Sequence, residues 1–325
     1  MAVPGLGSRR VSDVPVSVIV VSYNTRERLL ACLAALEARV SLAHEVIVVD
    51  NASADGSAAA VRARFPAAIV LENGENVGFS RANNQGLRRG QGAHALILNS
   101  DAEVGSGCVE ALAAVLEARA DVGIVGPRTR FADGRIQVSF GPRLAPWAEW
   151  RQRRLVQGVR RGDAAALRQV EALAAIEHEP AWVSGSCLLA RRRAIDAVGL
   201  FDEGFFLYEE DADLCVRVRE AGWRVVFTPA AEVVHHLGSS MAQPGPGLEY
   251  HRSHLRFYAK HHGWGPRLVL RGALAARGAF AWLTADGPRA AEDRRDAAAL
   301  LRLAVFSDVG GAAPHPPDLP AARRK

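Results

Sequence analysis

Apolar residues in the first 130 positions fall into short runs, and the stretches between them carry helical periodicity. Residues 16–21, rich in valine, form the kind of run required of a strand buried on both faces. The pattern then predicts a helix over 25–38, a strand over 45–49 ending at Asp50, and a helix over 56–65. A short strand follows at 68–71, a helix at 80–89, and a strand at 95–98 that ends at Asn99, Ser100 and Asp101. A helix over 106–118 and a strand over 122–125 complete this half. Strand–helix alternation argues for an α/β fold, a mostly parallel sheet with flanking helices. Ligands in such sheets bind beyond the carboxyl ends of the strands.

The second half predicts a strand over 182–190, a helix over 210–221 and two short strands at 223–227 and 232–235. Between the halves, residues 147–179 are helical in pattern and basic, with Arg151, Arg153, Arg154, Arg160, Arg161 and Arg168. This stretch reads as a solvated helix face or as a dock for an anionic acceptor. Beyond Gly245 the pattern is helical, ending in a Pro-rich tail. The expected organisation is a flexible leader (1–14) and a main domain (15–245). That domain divides into a nucleotide half (15–127), a helical insertion (128–180) and a second half (181–245). A C-terminal helical appendage (246–309) and a disordered tail (310–325) follow.

The formal charge is +5, and only Lys260 and Lys325 are lysines. This arginine excess reads as a composition bias or as phosphate recognition, and nothing in it calls for a nucleic-acid partner. Cys32, Cys108, Cys187 and Cys215 lie far apart in apolar contexts, without a Cys-x-x-Cys pair. They read as buried reduced thiols rather than zinc ligands or disulfides. No secretory pattern and no uncharged apolar stretch of about 18 residues is found, so a cytoplasmic protein without a membrane span is expected. Tyr250, Phe257, Tyr258, Leu268, Leu270, Leu274 and Phe280 read either as a surface lying on a membrane or as helices packed on the main domain.

Polar residues cluster after three separate strands: Ser22, Tyr23 and Asn24; Asp50, Asn51 and Ser53; Asn99 and Asp101. A carboxylate at Asp50 can accept the imide N–H of uracil or thymine. Gly78 permits a tight turn before a helix whose N-terminus, with Arg81 nearby, suits a diphosphate. In an extended Asn99-Ser100-Asp101, positions two apart share a side, so two oxygen donors can face one hard cation. Glu209, Glu210, Asp211 and Asp213 open a helix, which the helix dipole alone favours. Asp211 or Glu210 facing a cleft would serve as a general base toward an acceptor hydroxyl. Of the adjacent His235 and His236, only one can enter that cleft.

Taken together, Val21-Ser22-Tyr23-Asn24, Val49-Asp50-Asn51-Ala52-Ser53, Asn76-Val77-Gly78-Phe79 and Leu98-Asn99-Ser100-Asp101 resemble family 2 glycosyltransferases of the GT-A fold. So do residues 199–203, residues 206–214, and His235 with Gly238 and Ser239. Within that family the pattern is most similar to rhamnosyltransferase-type enzymes of cell-wall or surface polysaccharide synthesis. The resemblance implies inverting transfer of a sugar, with dTDP-rhamnose the favoured donor, to a saccharide or lipid-linked saccharide acceptor. It implies a divalent metal (Mg2+ or Mn2+) and a peripheral contact at the inner face of the plasma membrane. Asp211 would be the catalytic base with Glu210 beside it; Asp101 and His235 would bind the metal. Ser22, Tyr23, Asn24, Asp50, Asn51, Asn76, Gly78, Arg81, Asn83, Asn99 and Ser100 would hold the nucleotide sugar. Trp182, Gly185 and Glu209 would meet the acceptor. Asn99 stands where the family often has an Asp. A nucleotidyltransferase is a weaker reading, since residues 22–26 lack the glycine cluster that grips a triphosphate. An inactive nucleotide-sugar-binding protein is a third, against which the set Asp101, Asp211 and His235 stands.

Overall fold

The computed structural model describes residues 15–236 and 247–307. The leader 1–14, the tail beyond 307, and Gly238 and Ser239 lie outside the described residues. The chain opens with β1 (Val16–Ser22), α1 (Arg26–Arg39), β2 (His44–Asp50), α2 (Ser57–Arg64), β3 (Ile69–Glu72) and α3 (Phe79–Arg89). It continues through β4 (His94–Asn99), β5 (Ala102–Val104), α4 (Cys108–Ala118), β6 (Val122–Arg130), β7 (Ile136–Gln137) and β8 (Phe140–Gly141). The basic stretch forms α5 (Pro146–Arg161) and α6 (Ala164–Leu173). Then come β9 (Trp182–Val183), β10 (Cys187–Arg191), α7 (Arg192–Ala197), α8 (Glu210–Glu220) and β11 (Arg224–His235). Three helices follow: α9 (Leu248–His261), α10 (Trp264–Thr284) and α11 (Ala290–Phe306).

The main sheet runs β3-β2-β1-β4-β10-β6-β11-β5, with β7 on β6. β1 pairs in parallel with β2 and β4, and β2 with β3. The period-two alternation of β1 explains the layering. Val18 and Val20 enter one core with Leu29, Leu33 and Leu36 of α1, while Ile19 enters the other with Leu87 of α3 and Leu214 of α8. A third apolar cluster ties Phe205 and Ala212, on either side of the α8 N-terminus, to Leu255, Phe257, Leu270 and Leu300 of the last three helices. The C-terminal helices therefore brace the acidic start of α8.

Two expectations need correction, and a third divides between its readings. The strand expected over 182–190 is two, broken at Ser184, Gly185 and Ser186, and β10 runs antiparallel to both β4 and β6. The two short strands expected near 223–235 are one, β11, interrupted in register between Thr228 and Glu232. Pro229 lies in that interval and has no N–H for the ladder, so the strand bulges there rather than ending. The C-terminal set divides between its two readings: Leu268 and Phe280 are exposed, while the other members pack inward. Phe257, Tyr258, Leu270 and Leu274 are core residues, and Tyr250 stacks on buried His254. All four cysteines are free and buried, and burial pushes the Cys215 thiol up to about 12.

Candidate active site

The carboxyl ends of β1, β2 and β4 meet in a network of short polar bonds. Thr25 Oγ1 lies 3.0 Å from Ser22 Oγ and 2.8 Å from Ser100 Oγ, joining the ends of β1 and β4. Asn51 donates its backbone N–H to the Ser22 carbonyl (2.8 Å) and its side-chain N–H to Asn76 Oδ1 (2.6 Å). Its Oδ1 accepts from Val77 N (3.0 Å), so Asn51 and Asn76 hold the turn that leads into α3. Asp50 is nearly buried and accepts from Ser53 N (3.0 Å), while Asn24 Oδ1 accepts from Ala54 N (2.8 Å). Tyr23, between Ser22 and Asn24 in the chain, is half-buried.

Gly78 sits at φ +85°, and a Cβ there would come within 2.7 Å of the Phe206 carbonyl oxygen. That carbonyl accepts the Phe79 N–H (2.6 Å), so the protein itself satisfies the first donor of α3. Both the left-handed backbone and the clash oppose a side chain. Gly78→Ala is expected to cost about 1–3 kcal/mol, measured by chemical denaturation. A variant as stable as the parent would show that this contact is dispensable.

Arg81, expected near the diphosphate, has a protein partner in the structure. Its Nε pairs with Glu203 Oε2 (3.2 Å), and Glu203 also binds Arg88. Asn83 is buried on α3, with its amide N–H on the Phe79 carbonyl. Neighbouring Asn84 clamps Phe201 by accepting from its N–H and donating to its carbonyl.

Asp101 and His235 come together at the sheet's far end. Their Oδ1 and Nε2 atoms are 3.1 Å apart, and both side chains are buried. The His236 N–H donates to the Asp101 carbonyl, while its ring turns to Glu103 (3.0 Å), so His235 is the histidine that joins Asp101. The other ring nitrogen of His235 meets the Gln137 amide, a partner on two-residue β7 that no sequence pattern marked. The Asn99 amide lies 3.4 Å from His235 Nε2, and its Oδ1 is buried without a protein partner. A carboxylate, an imidazole and an unpaired amide oxygen suit a divalent cation. No cluster of three or more His, Cys, Asp or Glu forms among the described residues.

Asp211 lies in the first turn of α8. Its Oδ2 accepts from Gly185 N (2.8 Å) and its Oδ1 from Ala212 N (2.7 Å). Ser186, next to Gly185, accepts the Asn99 backbone N–H (2.9 Å). Asp211 and Asn99 are thus fastened to adjacent residues of the β9–β10 break, which brings the acidic helix start to the end of β4. Trp182 leads into the same break. Burial pushes the Asp211 carboxyl up to about 6 against the two N–H bonds that favour its anion. Glu210 is buried and raised well above its usual range, by burial and then by the charge of Asp211. A value near 6 leaves Asp211 mostly anionic at neutral pH, with basicity suited to proton abstraction.

Tyr208 and Glu209, just before α8, both adopt positive φ, a costly conformation for residues with a Cβ. Buried His254 of α9 holds Glu209 there. Its Nδ1 is 2.9 Å from Glu209 Oε1, and its Nε2 is 2.9 Å from Glu149 of α5. Burial disfavours the imidazolium, but these two carboxylates raise its pKa to about 9. A raised folded-state value means the stabilisation is complete below about pH 6.5 and is lost as pH climbs through 9. The expected loss is up to about 3 kcal/mol, read as a falling melting temperature over that window. His254→Gln should flatten that slope; an unchanged slope would assign it to other groups.

Similarity to known proteins agrees with this arrangement. The model of glycosyltransferase-like family 2 matches residues 14–263. The chain belongs to glycosyltransferase family 2. It is 35% identical over 280 residues to the N-acetylglucosaminyl-diphospho-decaprenol L-rhamnosyltransferase of Mycobacterium tuberculosis strain H37Rv, covering 80% of this chain and 90% of that one. This glycosyltransferase also has the GT-A fold. It superposes on GalNAc-T7 crystallised with UDP, GalNAc and Mn2+ (TM-score 0.57, 14% identity, 88% of this chain and 54% of that one). A similar match is the Pyrobaculum calidifontis mannosyltransferase PcManGT in complex with GDP-Man and Mn2+ (TM-score 0.54, 20% identity, 93% and 89% covered). At these identities the structural likeness speaks for the fold alone.

Proposed function

We propose that this enzyme moves a rhamnosyl group from dTDP-rhamnose to a hydroxyl of a lipid-linked, N-acetylglucosamine-bearing acceptor, inverting the anomeric carbon. The observation that carries the chemistry is the half-buried Asp211 carboxylate, anchored on Gly185 beside Asn99. The rhamnosyl donor and lipid-linked acceptor follow the mycobacterial relative, whose name specifies N-acetylglucosaminyl-diphospho-decaprenol.

In this reading Asp50, Asn51 and the Ser22–Thr25–Ser100 hydroxyls line the nucleotide side. Two backbone N–H groups orient the Asp211 carboxylate while leaving lone pairs free to take the acceptor's hydroxyl proton. The acceptor oxygen forms the new bond to the anomeric carbon as the bond to the nucleotide diphosphate breaks. One displacement without a sugar–enzyme intermediate inverts the configuration. Asp101 and His235, with Asn99, would hold a divalent cation, which when bound neutralises charge on the departing diphosphate. Trp182, Gly185 and Glu209 border the acceptor side. The working location is the cytoplasmic face of the membrane that carries the acceptor lipid.

The test is transfer to N-acetylglucosaminyl-diphospho-polyprenol across a panel of nucleotide sugars, with the product's anomeric configuration read by NMR. Turnover with dTDP-rhamnose and an inverted product are expected. Preference for another donor would overturn the sugar assignment, and a retained configuration would overturn the mechanism.

A further inference from the structure

The loop ahead of α8 is held from outside its own helix. Glu209 stands at the N-cap position, yet its carboxylate makes no capping bond to α8. Tyr208 and Glu209 are at φ +74° and +66°, a conformation that residues with a Cβ keep only under restraint. The restraint comes from two adjacent residues of α9. Ser253 Oγ donates to the Leu207 carbonyl (2.8 Å), and His254 Nδ1 lies 2.9 Å from Glu209 Oε1. Tyr250, one turn before His254, meets the Tyr208 ring edge-on at 5.7 Å.

Helix α9 is in turn pinned to the basic insertion. His254 Nε2 lies 2.9 Å from Glu149 Oε2 of α5, whose other oxygen accepts from the Tyr258 hydroxyl (2.5 Å). Arg153, one turn along α5, donates to the same Glu149 oxygen at 3.2 Å and reaches the Tyr250 hydroxyl at 3.4 Å. The side chains of Glu149, His254 and Glu209 are only 8%, 1% and 8% exposed. Only a ring protonated on both nitrogens donates to two carboxylates, the state these neighbours favour against burial. The chain of contacts thus runs from the insertion, through α9, to a residue two positions before Asp211. Its last atom is left open: Glu209 Oε2 is buried without a protein partner. A buried carboxylate oxygen without a hydrogen bond is costly unless something binds it.

We propose that His254, anchored by Glu149, is a positioning residue for the acceptor: it aims the Glu209 carboxylate so that Oε2 receives a hydroxyl of the acceptor sugar and sets that sugar before Asp211. The inference deepens the transferase reading and rests on it for the acceptor-side role of Glu209. A buried carboxylate–imidazolium–carboxylate chain is often no more stable than apolar side chains packed in its place. What it supplies is direction, since two charge-assisted hydrogen bonds fix the ring and the ring fixes Glu209. Direction matters at this point of the fold, because an acceptor hydroxyl displaced by about 1 Å loses about 10²-fold in rate. The insertion then contributes Glu149 to the acceptor side, besides whatever its exposed arginines do.

The test is steady-state transfer by the full chain, with donor and acceptor varied separately and folding checked by circular dichroism. His254→Gln, whose amide can donate to one carboxylate only, should lower kcat/KM for the acceptor about 10–100-fold, with the donor KM within about twofold of the parent. A contact that serves stability alone would lower the melting temperature and leave the acceptor kinetics of the folded enzyme unchanged. Glu209→Ala should show the same acceptor loss. Adding His254→Gln to it should lower the rate no further, because His254 acts through Glu209. Glu149→Gln loosens the ring without removing it, so a smaller loss of the same kind is expected, again absent in the Glu209→Ala background. That variant carries the test if His254→Gln does not fold. Losses that multiply in the double variant, losses shared equally by the donor, or unchanged acceptor kinetics in folded variants would overturn the proposal. The comparison uses whichever nucleotide sugar the parent turns over, so preference for another donor would overturn the rhamnose assignment and leave this test standing.

Discussion

Asp211→Asn lowers kcat by about 10²–10⁴-fold, the range lost when a general base is removed, while the affinity for the nucleotide-sugar donor stays within a few-fold. The carboxylate is bound to Gly185 and Ala212, and in the proposed reading it faces the acceptor, so the donor contacts should survive. In the parent, kcat should carry an acidic limb near pH 6, because burial raises the Asp211 carboxyl to about that value and only its anion accepts a proton. Activity is therefore lost as pH falls through 6, and the limb disappears from the residual rate of the variant. Stability moves the other way. A carboxyl raised above its unfolded value favours folding at low pH; the contribution is complete below about 3.8 and is lost as pH rises from there through 6. An upward shift from 3.8 to about 6 corresponds to a penalty on the order of 2–3 kcal/mol for the buried anion. Asparagine removes that penalty and loses one hydrogen-bond acceptor, so the variant should melt close to the parent at neutral pH. Substantial turnover by Asp211→Asn would remove Asp211 from the catalytic role, and a pH limb that survives the substitution would assign it elsewhere.

The nucleotide half was legible because its strands are buried on both faces, so each is a short apolar run that stops abruptly at a polar residue. Asp50, Asn51, Asn99 and Asp101 stand at those stops in the structure. Strand direction was not legible. β10 is apolar on both faces whether it runs parallel or antiparallel, so its reversed insertion between β4 and β6 leaves no mark on its own pattern. The break at Ser184, Gly185 and Ser186 was hidden for a related reason, since two short apolar stretches separated by small residues read as one strand. Yet that break is what brings Asp211 to Asn99. β5, β7 and β8 hold two or three residues each, below the length at which alternation can be counted. The fate of long side chains was equally closed to sequence reading. Arg81 has Glu203 as its partner, 122 positions away, and Glu209 has His254, 45 positions away. Such pairings depend on which helix the third layer sets beside the loop. Only the acids that open α8 advertised themselves, and of these Asp213 is structural, buried against Arg217, Lys260 and His261.

Asp101→Asn is expected to lower transfer on the order of 10³-fold, the several kcal/mol that a bound cation can contribute at a departing diphosphate. Two accounts of the Asp101–His235 contact separate here. If the pair were only structural, asparagine would keep an oxygen 3.1 Å from His235 Nε2 and most of the activity would survive. If the pair holds a cation, loss of the carboxylate's charge removes the strongest donor, and neither His235 nor the Asn99 amide can supply a negative charge in its place. The unpartnered Asn99 Oδ1 favours the second account, because a buried acceptor left without a hydrogen bond costs about 1–3 kcal/mol unless something binds it. The decisive readout is independent of turnover. In the parent, dTDP should raise the melting temperature far more with Mn2+ than without it, as mass action requires of a ligand that binds only the folded state through the cation. In Asp101→Asn the Mn2+-dependent part of that shift should vanish, while the small metal-independent part, carried by Asp50 and the β1–β2 loops, persists. A variant that keeps the full Mn2+-dependent shift would show that the cation is held elsewhere.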